Sequence, residues 1–190
     1  MKYLIGFLIT VGLIILLIVL LVSGSGSKTQ VPHTSKTLAS YSDDSTALVR
    51  LTVDGPITSP QEHHATRISV SRDTTTYEQL VGYNGHVTLA QSYPNTQTSY
   101  LSFLRAIELA GFTKGDTAAN LKNDRGFCAL GSRYIFEFEA SGKQLERFWS
   151  TSCDGTRSFR GNAPLNLSLF RKQIPEYNKF TSQNDFSINL

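Results

Sequence analysis

Tyr3 to Val22 is a run of 20 residues without a charge, dominated by Leu, Ile and Val. Coiled as a helix it spans about 30 Å, the thickness of the hydrocarbon core of a bilayer. Inside lipid a helix satisfies its own backbone, so Gly6, Thr10 and Gly12 are tolerated there. The spacing Gly6 to Thr10 is a small-xxx-small pattern of the kind that lets helices pair. The run exceeds the roughly 7–15 apolar residues of a cleaved leader, although Val22-Ser23-Gly24 offers a small-residue cleavage site. We therefore expect residues 1–22 to be a transmembrane signal anchor, with the lipid bilayer contacted through residues 3–22. Lys2 lies before the run and Lys28 and Lys36 after it, so flanking charge alone does not orient it. A short charged start before a first apolar segment resembles a signal anchor. The expectation is one membrane pass, with the C-terminal part outside the cytoplasm.

Residues 23–44 open with Ser-Gly-Ser-Gly-Ser and remain polar, which predicts a flexible linker. Residues 45–190 are then one extracytoplasmic domain, long enough to bury a single core. Only 17% of the chain is charged and the net charge is +3, which gives no basis for nucleic-acid binding. Two cysteines exclude a disulfide-dense scaffold and a multi-cysteine zinc site.

Alternating apolar residues predict strands at Ala47–Val53 and Thr66–Val70. Asn84-Gly85 predicts a two-residue type I′ hairpin between Tyr77–Tyr83 and His86–Gln91. That register sets Leu80 against Leu89, Gly82 against Val87 and Tyr83 against His86. Tyr100, Phe103, Leu104 and Ile107 recur at helical spacing, with Gly111 as a left-handed cap onto which Phe112 folds back. Tyr134, Phe136 and Phe138 mark a fifth strand, and Ser141-Gly142 turns the chain into a sixth from Gln144. A last helix starts near Asn162, with Pro164 in its first turn and a stripe of Leu167, Phe170 and Ile174. Four strands, a helix, two strands and a helix predict an α+β fold with a mostly antiparallel sheet of about six strands.

Cys128 precedes the fifth strand and Cys153 follows the sixth, at similar distances from the turn at Ser141-Gly142. A hairpin there brings both cysteines to one end, within reach of a disulfide. A second reading comes from a resemblance. Asn84-Gly85-His86, then Ser150-Thr151-Ser152-Cys153, then Arg157 or Arg160, resembles the His, Thr-x-Cys, Arg order of sortases. Those are membrane-anchored extracytoplasmic transpeptidases. The resemblance implies Cys153 as nucleophile, His86 as acid and base, and Arg157 or Arg160 as oxyanion partner. Ser152 stands where the family's Thr is adjacent to its Cys, and sortases are closed β-barrels.

Adjacent His63 and His64 would point to opposite faces of a strand, so they do not chelate together; with Glu62 they read as a polar loop. A metal site recruiting His86 as well is the sharper alternative. No carboxylate pair is spaced for acid–base chemistry, and Gly82-Tyr83-Asn84-Gly85 reads as a hairpin, not a phosphate loop. No cofactor is expected. Arg157, Arg160, Arg171, Lys172 and Lys179 form the basic run, a binding surface for anionic lipid or an acidic envelope polymer, or a solvated face. Of Phe148 and Trp149, one is expected in the core and the other part-exposed. The chain reads as a membrane-anchored, non-catalytic binding domain. Its expected partners are an envelope polymer or another membrane protein. A structural or assembly subunit acting through its transmembrane helix is a third reading.

Overall fold

A computed structural model describes residues 36–182. The expected anchor at 1–22 and most of the expected linker at 23–44 lie outside the described residues. Among the described residues no helix is long and apolar enough to cross a membrane.

Six strands form one antiparallel sheet: β1 (Leu48–Asp54), β2 (His64–Ser71), β3 (Thr74–Val81), β4 (His86–Pro94), β5 (Arg133–Ala140) and β6 (Lys143–Thr151). Their spatial order is β4-β3-β2-β1-β5-β6. The first four strands thus meander outward, and the chain then crosses back to place β5 on the other side of β1. Helices α1 (Gln97–Leu109), α2 (Ala163–Arg171) and α3 (Tyr177–Ser182) complete the α+β fold.

Period-two patterning divides the two faces. Val49, Leu51 and Val53 of β1 and Tyr134, Phe136 and Phe138 of β5 are buried against Tyr100, Phe103, Leu104 and Ile107 of α1 and Leu167 and Phe170 of α2. Phe136 stacks on Phe159, and Phe103 meets Phe170 edge-on. Each such ring contributes roughly 1.5–3 kcal/mol of apolar burial. The opposite face carries Arg50, Thr52, Asp54, Arg67, Glu78, Ile135, Glu137, Arg147 and Trp149.

Local signals set the helix ends. Thr96 accepts from the Ser99 amide at the start of α1, and Asn162 from the Leu165 amide at the start of α2. Gly111, at φ +78°, ends α1 in a Schellman motif: its amide bonds to the Glu108 carbonyl and that of Phe112 to Ile107. Here two backbones touch. A Cβ on Gly161 would sit 2.3 Å from the Gly111 carbonyl oxygen and 2.6 Å from the buried Phe159 ring. Gly161→Ala is therefore expected to cost about 1–3 kcal/mol through overpacking. Equilibrium urea unfolding measures this, and an unchanged midpoint would contradict the close approach.

Three expectations are corrected. The folded body starts at Lys36, not residue 45. The 3-10 turn Leu38–Tyr41 buries Leu38, Tyr41 packs edge-on against Phe138, and the Leu38 amide bonds to Glu108 Oε1. Two apolar side chains in a polar stretch suffice to dock it. The β3–β4 hairpin does not use a two-residue turn at Asn84-Gly85. Gly82–Gly85 forms a four-residue loop, with positive φ at Gly82 and Gly85 and the strands closing at Val81 opposite His86. Leu80 lies opposite Val87, and Gln79 opposite Leu89 across a register irregularity. Tertiary contacts of Tyr83, described below, hold that loop open. The turn with two positive-φ residues is Ser141-Gly142 instead. Finally, Phe148 and Trp149 are both buried, on opposite faces of β6. Phe148 joins the main core, while Trp149 packs with Leu121, Ile135 and Phe127 under a loop that crosses the second face.

Candidate functional site: a cleft on the helix-free face of the sheet

Two loops lie over the face that the helices leave open. One precedes β5. Its Leu121 carbonyl accepts from Trp149 Nε1 at 2.6 Å, and Phe127 stacks on the Trp149 ring at 4.9 Å. The other joins β1 to β2 and packs on the β3–β4 hairpin. The Tyr83 hydroxyl donates to the Thr58 carbonyl at 2.8 Å and its ring stacks on His63 at 4.1 Å. The loops meet where the Ile57 amide bonds to the Ala129 carbonyl, and where the Arg125 guanidinium lies 5.2 Å over the Tyr83 ring.

Between them is a cleft of about 220 Å³. Thr52, Ala65, Arg67, Ile135 and Glu137 of three neighbouring strands line it, together with Asp54, His63, Tyr83, Asp124, Arg125 and Arg147. The lining is mostly polar, as expected of a face whose residues were patterned for solvent.

Under and beside the cleft runs a chain of alternating charges. His63 Nε2 lies 2.8 Å from Asp54 Oδ1, and Arg133 Nη2 lies 2.7 Å from Asp54 Oδ2. Arg133 Nε approaches Asp124 at 3.7 Å, and Asp124 accepts from Arg147 Nη2 at 2.6 Å. Arg147 continues to Glu137 at 3.6 Å, and Arg50 joins Glu137 at 3.6 Å to Glu139 at 2.8 Å. The Arg133 end is dry: that side chain is fully buried, as nearly is His63. His63 Nδ1 lies 3.1 Å from the Pro56 carbonyl. Both neighbours of the ring are acceptors, so both contacts are hydrogen bonds only when each ring nitrogen carries a hydrogen.

Each guanidinium of this chain faces two carboxylates, four carboxylates answering three guanidiniums. Arg67 has one longer contact, to Glu78 at 3.5 Å, and its Nε is buried without a partner. Arg125 is exposed, and its described contact is the Tyr83 ring. Arg67 and Arg125 are thus the lining cations with the weakest carboxylate pairing among the described residues. An anionic group entering the cleft would meet them. No convergent nucleophile and base line the cleft, and no group of described residues is arranged to hold a metal ion.

The residues singled out from sequence fall in several places. Cys128 and Cys153 are disulfide-bonded with Cα atoms 5.7 Å apart, at the shared end of the β5–β6 hairpin. Gly131 permits this, since a Cβ there would lie 2.5 Å from Cys128 Sγ. The sortase-like set is not assembled. A bonded Cys153 sulfur carries no thiolate. His86 starts β4 at one edge of the sheet, while Cys153 follows β6 at the other, five strand spacings or roughly 24 Å away. The histidines do not converge either. His63 is committed to Asp54 and Pro56, while His64 and His86 flank Val81 from two strands, roughly 10 Å apart.

None of the basic run lines the cleft. Arg157 and Lys172 are exposed. Arg160 pairs with Asp116 at 3.3 Å, Arg171 lies over Tyr177, and Lys179 pairs with Glu176 at 2.6 Å. Sequence reasoning missed Arg133, Asp124 and Arg125. Arg133 had a signal, a charge opening an otherwise apolar strand. Asp124-Arg125 sat in a loop without periodicity. No family model and no curated protein matches the chain.

Proposed function

We propose that the chain is a single-pass, membrane-anchored protein whose extracytoplasmic domain binds, without catalysis, an anionic group of an envelope polymer in the cleft between the two loops. The observation that carries this reading is the pair Arg67 and Arg125 in a polar cleft whose other guanidiniums are each held by close carboxylates. The apolar run at 3–22 supplies the anchor, and residues 23–35 the tether. The disulfide agrees with an oxidising compartment.

Two measurements test the reading. A reporter fused after Leu190 that works only outside the cytoplasm should be active; a cytoplasmic signal would remove the envelope ligand. Titration of the detergent-solubilised chain with purified anionic envelope polymer should show saturable binding. Arg67→Ala and Arg125→Ala together should weaken it by roughly tenfold or more, as expected for losing charge-assisted hydrogen bonds. Equal binding by wild type and the double variant would exclude the cleft.

A further inference from the structure

The peptide unit between Pro56 and Ile57 is gripped from two sides. Its N–H donates to the Ala129 carbonyl at 2.8 Å, across the junction of the two loops that wall the cleft. Its C=O faces His63 Nδ1 at 3.1 Å. Through this one peptide, His63 reaches both loops. The backbone of His63 is fixed as well, since its carbonyl accepts from the Gly82 amide at 2.8 Å. Its ring stacks on Tyr83, and both residues line the cleft.

The hold on Pro56 depends on a proton. His63 Nε2 faces Asp54 Oδ1 at 2.8 Å, so the buried ring lies between two acceptors. A neutral imidazole has one N–H. It donates to one acceptor and sets a lone pair against the other. Asp54 is held in place by two hydrogen bonds from Arg133. A ring with a single hydrogen therefore keeps it on Nε2, and the contact with Pro56 turns repulsive.

The surrounding charges favour the second hydrogen. Among the described residues of this chain, Asp54, Asp124, Glu137 and Glu139 face only the guanidiniums of Arg133, Arg147 and Arg50. Four carboxylates against three guanidiniums leave one negative charge over, and an imidazolium at His63 supplies the missing cation. Other charged and titratable groups stand about the ring. Arg133 of β5 lies behind Asp54, Tyr83 of the hairpin loop covers the ring, and Arg125 of the loop before β5 lies over Tyr83. Glu62, next in the chain, accepts from Ser59. Arg133 and Arg125 oppose a charge on the ring. Direct contact with Asp54 is the stronger influence, because a charge-assisted hydrogen bond outweighs a more distant cation.

We propose that His63 is a positioning residue of the cleft: doubly protonated in the folded domain, it clasps the Pro56–Ile57 peptide and keeps the two loops joined, so that the cleft holds an anion more weakly once the ring gives up its Nδ1 proton to solvent. This rests on the anion-binding reading above. The charged ring favours the joined loops and adds a positive charge to the lining. Affinity is therefore full at low pH and declines as pH rises through the titration of the ring.

Nitrogen-15 spectra of the imidazole rings, taken on the full chain in detergent across a series from about pH 5 to about pH 9, test the proton itself. At the acidic end both His63 nitrogens should carry hydrogen. As Nδ1 loses its hydrogen, the protection of the Ile57 amide against exchange, corrected for the intrinsic rate, should fall at least about tenfold. Poly(glycerol phosphate), whose phosphodiesters keep their charge over this series, should bind about tenfold more weakly at the basic end. In His63→Gln, which has no ring to titrate, that dependence on pH should be lost; Trp149 fluorescence reports whether the variant keeps its fold. A His63 ring with one N–H at the acidic end overturns the proposal. So does Ile57 protection that ignores the loss of the Nδ1 hydrogen, or an affinity that follows pH equally in both chains. Binding at no pH refutes the ligand reading instead, and the Ile57 protection then decides the clasp alone.

Discussion

Asp54→Ala is expected to remove about 3–5 kcal/mol of stability, the cost of taking from a buried charge the carboxylate that hydrogen-bonds to it. Arg133 is fully buried, and its Nε and Nη2 both bond to Asp54 Oδ2, at 3.1 and 2.7 Å. Its Nη1 is already without a partner, and Asp124 stands 3.7 Å from Nε, too long to take over the bond. The same substitution removes the acceptor for His63 Nε2. A loss of this size is comparable to the whole stability of many small domains. The chain's one tryptophan, Trp149, is fully buried against Phe127 and reports unfolding by fluorescence. A double-mutant cycle with Arg133→Ala should show that the two losses are far from additive, since either one breaks the same pair. A shift below about 1 kcal/mol for Asp54→Ala would show that water enters and replaces the carboxylate.

Opening the Cys128–Cys153 disulfide is expected to have the second largest effect, roughly 3 kcal/mol. The two residues are 25 apart in sequence, and closing a loop of that size lowers the entropy of the unfolded chain by about this amount. Cys128→Ser, Cys153→Ser and the reduced wild type should all unfold at similarly lowered denaturant midpoints. The agreement of all three separates loss of the cross-link from local damage at either site. Equal midpoints for the oxidised and reduced protein would mean that the hairpin ends stay together without the bond.

Most of the architecture was legible because each element carries its own signal. Tyr134, Phe136 and Phe138 alternate, Ser141-Gly142 reverses the chain, and the cysteine pairing followed from those two facts alone. The Gly111 cap and the stripe on α1 are equally local. What was not legible depends on partners distant in sequence. Asn84-Gly85 has the right residues for a tight turn, yet the Tyr83 hydroxyl is held by Thr58 and its ring by His63. His63 looks like a polar loop residue until Asp54 and Pro56 close around it. Arg133 and Asp124 are charges in buried positions, and sequence shows neither the burial nor the compensating partner. The cleft is made where two loops without periodicity cross a sheet face, so its lining had no pattern to read.

The seam between β1 and β5 also sets an order of assembly. β2–β3, β3–β4 and β5–β6 pair residues that are near in sequence, so each hairpin can form early. β1 and β5 join segments far apart: Asp54 and Arg133 are 79 residues from one another. Loop closure must be met before that contact repays it, which makes the seam a slow, late event. The ion pair at its end loses its water at the same moment, so dehydration of Asp54 and Arg133 falls within the slow step. The cysteines sit on a local hairpin and need no such wait. Oxidation can therefore precede completion of the core, and a chain caught halfway would already carry its covalent cross-link while its central seam was still open.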